Sequence, residues 1–192
     1  NLKDKHSVTT LTRQDVNLTD SMEVEEYFKY NHFDAVLHCA VKGGHRLVQD
    51  TPEVLDSNLQ MYYNLLANKR WFSKLLHFGS GADRLETPYG LSKQIIRESI
   101  RGQASFYNLR IFAVFDENEL ETRFIKSNIR KYLGKESMTV NTDKLMDFFY
   151  MQDLISLVDY YLENETPPAE IDCVYKDKKT YYYKGKEYTI YK

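Results

Sequence analysis

Tyr89 and Lys93 stand four residues apart in Tyr89-Gly90-Leu91-Ser92-Lys93, and Ser80 lies nine residues before the tyrosine. On a helix, positions i and i+4 share a face, so this spacing sets an ammonium beside a phenol. A free phenol titrates near ~10, and a neighbouring cation favours the phenolate and draws that value down. The expected result is a phenol that exchanges protons at neutral pH, as hydride transfer at an alcohol or sugar carbon requires. The spacing alone is a loose signal. The chain has 16 Tyr, and Tyr175/Lys179, Tyr182/Lys186 and Tyr188/Lys192 repeat it. The elements around Tyr89 must therefore decide.

Those elements alternate. Residues 6–12, rich in β-branched side chains, read as a strand. Asp20 caps a helix with Glu23 in its first turn and Met22, Val24, Tyr27 and Phe28 as its apolar stripe. Residues 33–40 form a continuous apolar run, which suggests a strand buried on both faces, and residues 41–46 a turn. Thr51-Pro52-Glu53 opens a second helix that runs to about Lys69. Residues 75–78 predict a strand closed by Gly79-Ser80-Gly81-Ala82; a helix from Tyr89 to Arg101 follows, with Ile95, Ile96 and Ile100 as core. Then come a strand over 108–115, a helix over 120–133, short extended pieces at 138–140 and 147–150, and a helix over 152–163. Residues 171–175 suggest another strand, and 181–191, around Gly185, a hairpin or edge strand. Apolar strands alternating with helices predict an α/β fold: a Rossmann-type, doubly wound parallel sheet. We divide it into a dinucleotide-binding core over 1–115 and a small substrate-binding region over 116–192 of the same domain.

Composition excludes several classes. With 26 Lys+Arg against 28 Asp+Glu, nothing points to nucleic acid or an acidic membrane surface. No apolar run approaches the ~18 residues of a membrane span, and a reducing cytoplasm is the expected setting. Cys39 and Cys173 lie in apolar runs and read as free, buried thiols. His38, His45 and His77 have no carboxylate or thiol at metal-ligand spacing, so they read as ordinary strand and loop histidines and no metal site is expected.

In this order the pieces resemble the extended short-chain dehydrogenase/reductase (NAD-dependent epimerase/dehydratase) family, most closely its GDP-L-fucose synthases. The resemblance rests on residues 12–20, on 33–40 with Gly43-Gly44, on Phe78-Gly79-Ser80 followed by Tyr89 and Lys93, and on residues 109–115 and 147–154. It implies an NAD(P)-dependent reductase or epimerase of nucleotide sugars, acting by 4-keto reduction or 4-epimerisation in surface polysaccharide synthesis, with a homodimer as the family expectation. Ser80, Tyr89 and Lys93 would be catalytic. Tyr89 and Lys93, with Arg13, Asn17, Leu18, Cys39, Ala40, Ile111 and Val114, would meet the cofactor. Arg13, just past a strand, suits the 2′-phosphate of NADP, where an acid would suit the ribose of NAD; its plainer reading is a surface arginine. Arg123, Lys126 and Arg130 would face substrate phosphates, or simply solvent.

Three departures qualify the resemblance. The glycine-rich phosphate loop has no counterpart here, so either the natural start precedes Asn1 or cofactor binding is crippled. Ser80 and Tyr89 are nine positions apart, and residues 83–88 make a short bridge where the family carries a longer segment over the substrate. Ala82 and Arg123 fall where GDP-L-fucose synthases place a Cys and a His that move protons during a double epimerisation. Neither can do so, which leaves a plainer hydride step. The rival reading is a non-catalytic Rossmann-type binding or sensing module.

Overall fold

The computed structural model describes residues 2–45, 48–140, 146–175, 178–183 and 186–191. The fold is α/β, as expected. Its regular elements are α1 (Ser21–Tyr30), β1 (Phe33–His38), α2 (Pro52–Ala67), β2 (Phe72–Ser80), α3 (Pro88–Arg101), β3 (Phe106–Ile111), β4 (Val114–Phe115), α4 (Phe124–Leu133), β5 (Phe149–Tyr150), α5 (Met151–Glu163), β6 (Glu170–Cys173), β7 (Lys178–Tyr183) and β8 (Lys186–Tyr191). A four-stranded sheet has the order β1-β2-β3-β6, and β1 pairs with β2 in parallel, His38 opposite His77.

The chain divides into two compact units. Residues 1–110 and 158–172 form the first, which holds Ser80, Tyr89 and Lys93. Its core joins Val24 and Phe28 of α1, Tyr62 and Leu65 of α2, Phe72 and Leu75 of β2, Ile96 and Ile100 of α3, and Phe106 of β3. Asp20 caps α1 as expected, accepting from the N–H groups of Met22 and Glu23. Lys74 of β2 reaches the far end of α5 and donates to the carbonyls of Tyr161, Leu162 and Asn164 at 3.1, 2.9 and 2.6 Å, placing a cation at a helix C-terminus.

Residues 111–157 and 173–192 form the second unit. In it, β4 pairs with β5 in parallel and β7 with β8 in an antiparallel hairpin. Arg46, expected in a turn, and Gly185, expected within a hairpin or edge strand, lie outside the described residues.

Several boundaries differ from expectation. Residues 7–12 form no strand: Val8 and Leu11 are exposed, so the segment has no apolar face to bury and no ladder to join. β1 is the edge of its sheet and buries only His38, which corrects the reading of a strand covered on both faces. Cys39, just beyond it, is exposed, whereas Cys173 is buried; both thiols are free. Met22 and Ile95 point outward rather than into the core. β2 runs on through Gly79 and Ser80, so the serine sits at the end of a strand rather than in a turn. The run over 108–115 is broken at Phe112 and Ala113 into β3 and β4, and α4 begins four residues later than expected.

Candidate active site

Ser80 closes β2, and its hydroxyl accepts the N–H of Ala82 at 3.2 Å, starting the 3-10 turn Gly81–Arg84. Thr87 then caps α3, accepting the Gly90 N–H at 3.0 Å, and Pro88 occupies the first turn where no N–H is needed. Tyr89 thus enters α3 with its phenol beside Ser80, whose hydroxyl favours the charged form of the ring. One turn on, the buried Lys93 ammonium lies 5.7 Å from the centroid of the Tyr89 ring. It donates to the Phe78 carbonyl at 2.7 Å and approaches His77 Nε2 at 3.4 Å.

The electrostatics correct one expectation. Burial raises the Tyr89 pKa above its ordinary value, and the nearby Asp50 carboxylate pushes the same way; the Ser80 hydroxyl opposes them without prevailing. The lysine does not depress the phenol. Instead burial lowers Lys93 itself to about 8. Two hydrogen bonds for three ammonium protons leave one Lys93 N–H for a ligand hydroxyl among the described residues.

The floor of the site comes from the loop after β1. Gly44 has φ +73°, and a Cβ there would meet the Tyr89 ring at 2.8 Å, so the ring rests directly on the loop backbone. Asp50 accepts the Gly44 N–H at 2.9 Å. Asn58, buried in α2, clasps Lys42 through both backbone groups, at 2.8 and 3.0 Å, and donates to Ser92 Oγ at 3.1 Å. Ser92 in turn donates to the Tyr89 carbonyl at 2.7 Å. Asn58 was missed as a site residue. The available signal was an amide standing within the apolar stripe of its helix.

The short bridge from Ser80 to Tyr89 is pinned by charge. The Asp83 side chain is 1% exposed and meets Arg110 Nε at 2.8 Å and Arg97 at 3.3 Å. Arg110 also binds Asp172 at 2.7 Å, and Arg97 grips Glu170 as a fork at 2.6 and 2.5 Å. That fork holds the Glu170 carboxyl down at about 2. The bridge packs against α3 at Gly90, where a Cβ would collide with the Leu85 carbonyl and meet the Ala82 carbonyl at 2.6 Å.

Behind Lys93 lies a pair of buried imidazoles. His77 Nδ1 and His38 Nδ1 are 3.1 Å apart. Burial and the lysine charge lower His38 to about 3 and His77 well below its ordinary value, so both rings are neutral.

The other predicted residues are distributed as follows. Arg13 is exposed, and Cys39 and Ala40 form exposed backbone at the end of β1. Asn17 spends its side-chain oxygen on Thr19, at 3.3 Å to the N–H and 2.9 Å to the hydroxyl, and Leu18 packs against the core. Ala82 lies in the bridge. Ile111, Val114, Arg123, Lys126 and Arg130 belong to the second unit. There the cations pair locally: Arg123 with Glu119 at 3.7 Å, and Lys126 and Arg130 with Glu121 at 3.0 and 2.7 Å. Among the described residues, no three or more His, Cys, Asp or Glu side chains gather as a metal site, and no helix is long and apolar enough to cross a membrane.

A serine, a tyrosine and a lysine thus gather at the carboxyl end of β2. The NAD dependent epimerase/dehydratase family matches residues 1–173. This chain belongs to that family. No curated protein matches it. Among solved structures, it resembles the dTDP-4-dehydrorhamnose reductase of Bacillus anthracis in complex with NADP, at TM-score 0.75 and 14% identity over 91% of this chain and 68% of that one. A GDP-mannoheptose C4 reductase of Campylobacter jejuni with NADP bound gives TM-score 0.71 and 18% identity over 98% and 75%. The Bordetella bronchiseptica enzyme WbmG, in complex with NAD and UDP, gives TM-score 0.68 and 18% identity over 90% of this chain. The chain spans 57% of the length of WbmG. At these identities the likeness is one of fold, and it places this epimerase/dehydratase family member in a Rossmann-type architecture.

Proposed function

We propose that this protein is an NADP- or NAD-dependent reductase or epimerase acting at C4 of a nucleotide sugar, in the synthesis of surface polysaccharide. The observation that carries this reading is the cluster itself: a phenol beside Ser80, whose hydroxyl favours its charged form, with a buried lysine beside its ring. When bound, the nicotinamide cofactor supplies the hydride chemistry. The chain's residues fit such a group. Lys93 keeps one N–H for a ribose hydroxyl, and Arg13, exposed and without an ion pair among the described residues, suits a 2′-phosphate. Cys39 and Ala40 lie open at the carboxyl end of β1, the side of a parallel sheet where nucleotides bind. We assign Asn17 and Leu18 to the adenine side.

Ser80 orients the sugar oxygen, and Tyr89 delivers or removes its proton. Its raised pKa makes Tyr89 a protonated donor at neutral pH, which suits 4-keto reduction better than proton abstraction. Ala82 and Arg123 move no proton, which separates this chemistry from the double epimerisation of the GDP-L-fucose synthases. On the second unit, Arg123, Lys126 and Arg130 form a basic cluster that suits a phosphate group in exchange for their glutamate partners.

The test is NADPH oxidation by the full chain against a panel of 4-keto nucleotide sugars, alongside Tyr89→Phe. Turnover should fall roughly 10²–10⁴-fold in the variant while nucleotide binding is unchanged. Wild-type turnover in Tyr89→Phe, or no NADPH binding by the parent, would overturn the reading.

A further inference from the structure

The catalytic scheme above makes no use of His38 and His77, although both are fully buried beside Lys93. A buried imidazole pair with no acid facing it is costly unless its hydrogen bonds are satisfied. Here they are satisfied in only one direction. Lys93 Nζ, 3.4 Å from His77 Nε2, has only protons to offer while it is charged. His77 must therefore present its lone pair on Nε2 and carry its proton on Nδ1. That proton points to His38 Nδ1, 3.1 Å away, which must accept. The His38 proton is thereby placed on Nε2, an atom that is buried and has no hydrogen-bond partner among the described residues.

The orphaned Nε2 decides between two roles. A proton wire from Lys93 to solvent needs an acceptor at its far end, and this chain of nitrogens stops at a buried atom. We infer that His77 is a positioning residue: it accepts from Lys93 on Nε2, with its proton fixed on Nδ1 by His38, and so aims the ammonium between the Phe78 carbonyl and the Tyr89 ring. This deepens the proposed function, since it assigns what orients the lysine that reading makes catalytic. The parallel register that sets His38 opposite His77 brings the two rings together from adjacent strands, and Tyr62 of α2 packs edge-on against His77 at 6.2 Å. The groups facing Lys93 and the pair are Cys39 beyond β1, His38 and His77 themselves, Tyr89 on the lysine's own helix, and Asp50 beside Tyr89.

The test needs neither substrate nor cofactor, so its outcome is independent of whether the proposed reaction is correct. Long-range ¹H–¹⁵N spectra of the full chain with labelled histidine report the tautomer of each ring. The expected result is His77 protonated on Nδ1 and His38 on Nε2, both neutral, at pH 6–7, where a free imidazole titrates (~6.5). A proton on His77 Nε2, or a His77 that titrates like a free imidazole, would overturn the inference. The second arm follows the Lys93 ¹³Cε signal with pH, assigned by Lys93→Arg. Removing the acceptor in His77→Leu should make Lys93 roughly tenfold more acidic, and His77→Gln, which restores an oxygen acceptor, should recover most of that shift. Identical Lys93 titrations in the parent and both variants would equally overturn it. Should His77→Leu fail to fold, the tautomers of the unmodified protein and the His77→Gln titration still decide.

Discussion

Lys93 and Arg97 lie one turn apart on the same helix, and each anchors a buried polar network of opposite construction. Arg97 belongs to a balanced set, in which Asp83, Glu170 and Asp172 face Arg97, Arg101 and Arg110 with every ion opposed by another. Lys93 belongs to an unbalanced one, in which two neutral imidazoles and a carbonyl surround a lone cation. Opposed charges hold each other in their ionised forms, so the Arg97 side drives Glu170 down to about 2. Desolvation without an opposing charge does the reverse, and Lys93 falls to about 8. The first arrangement fixes the short bridge between Ser80 and Tyr89. The second leaves a charge poised to exchange partners, a condition found where a residue has work to do rather than a structure to hold.

The largest effect should come from breaking the balanced set. Asp83→Ala strips Arg110 and Arg97 of their shared, fully buried carboxylate and should cost about 4 kcal/mol in urea unfolding. A loss below ~1 kcal/mol would mean that the bridge is held by something else.

Next comes the pH dependence of the unbalanced side. The folded value of Lys93 lies below its unfolded one, so between about 8 and 10.5 the unfolded chain binds more protons and stability rises with pH. The rise is on the order of 3 kcal/mol across that window, and Lys93→Met should abolish it. Glu170 also adds stability with rising pH, but in a separate window, from about 2 up to its ordinary 4.5. Loss of the alkaline slope in Lys93→Met with the acid limb intact would confirm that the two networks titrate independently. A parent curve that is flat from pH 8 to 10.5 would refute the contrast.

A smaller effect is expected at the seam between bridge and helix. A methyl at Gly90 would press on the Leu85 and Ala82 carbonyls, which are backbone and cannot swing away. Gly90→Ala should destabilise by about 2 kcal/mol and shift Tyr89 relative to Ser80, seen as a change in the Tyr89 titration. A neutral Gly90→Ala would show that the bridge is looser than its ion pairs imply.

The trio itself was legible because its spacing is local: one helical turn separates Tyr89 from Lys93, and a capped start follows a strand that ends in serine. The α1 cap and the Thr51-Pro52 start of α2 were legible for the same reason. What escaped sequence reading depends on sheet registry or on burial. The two histidines each follow a leucine, in Leu37-His38 and Leu76-His77, and only the parallel pairing of β1 with β2 turns that repetition into a contact. The Tyr89 pKa was read with the wrong sign because a cation's pull is visible in spacing, whereas the desolvation that outweighs it is a property of the packed site. Residues 7–12 failed as a strand because β-branched composition states a preference, and a strand also needs a partner edge.

The loop that carries Gly44 gives the site an unusual kind of tolerance. Its left-handed backbone and the ring above it fit by the omission of a single carbon, so the phenol is located by a surface that has no side chain to lose. The neighbouring Gly43 is held the same way, with φ +75° and a Cβ that would meet Asp50 at 2.5 Å, so the tolerance stops at these two positions. Any side chain at position 44, however small, would move Tyr89 relative to Ser80 before it changed anything else.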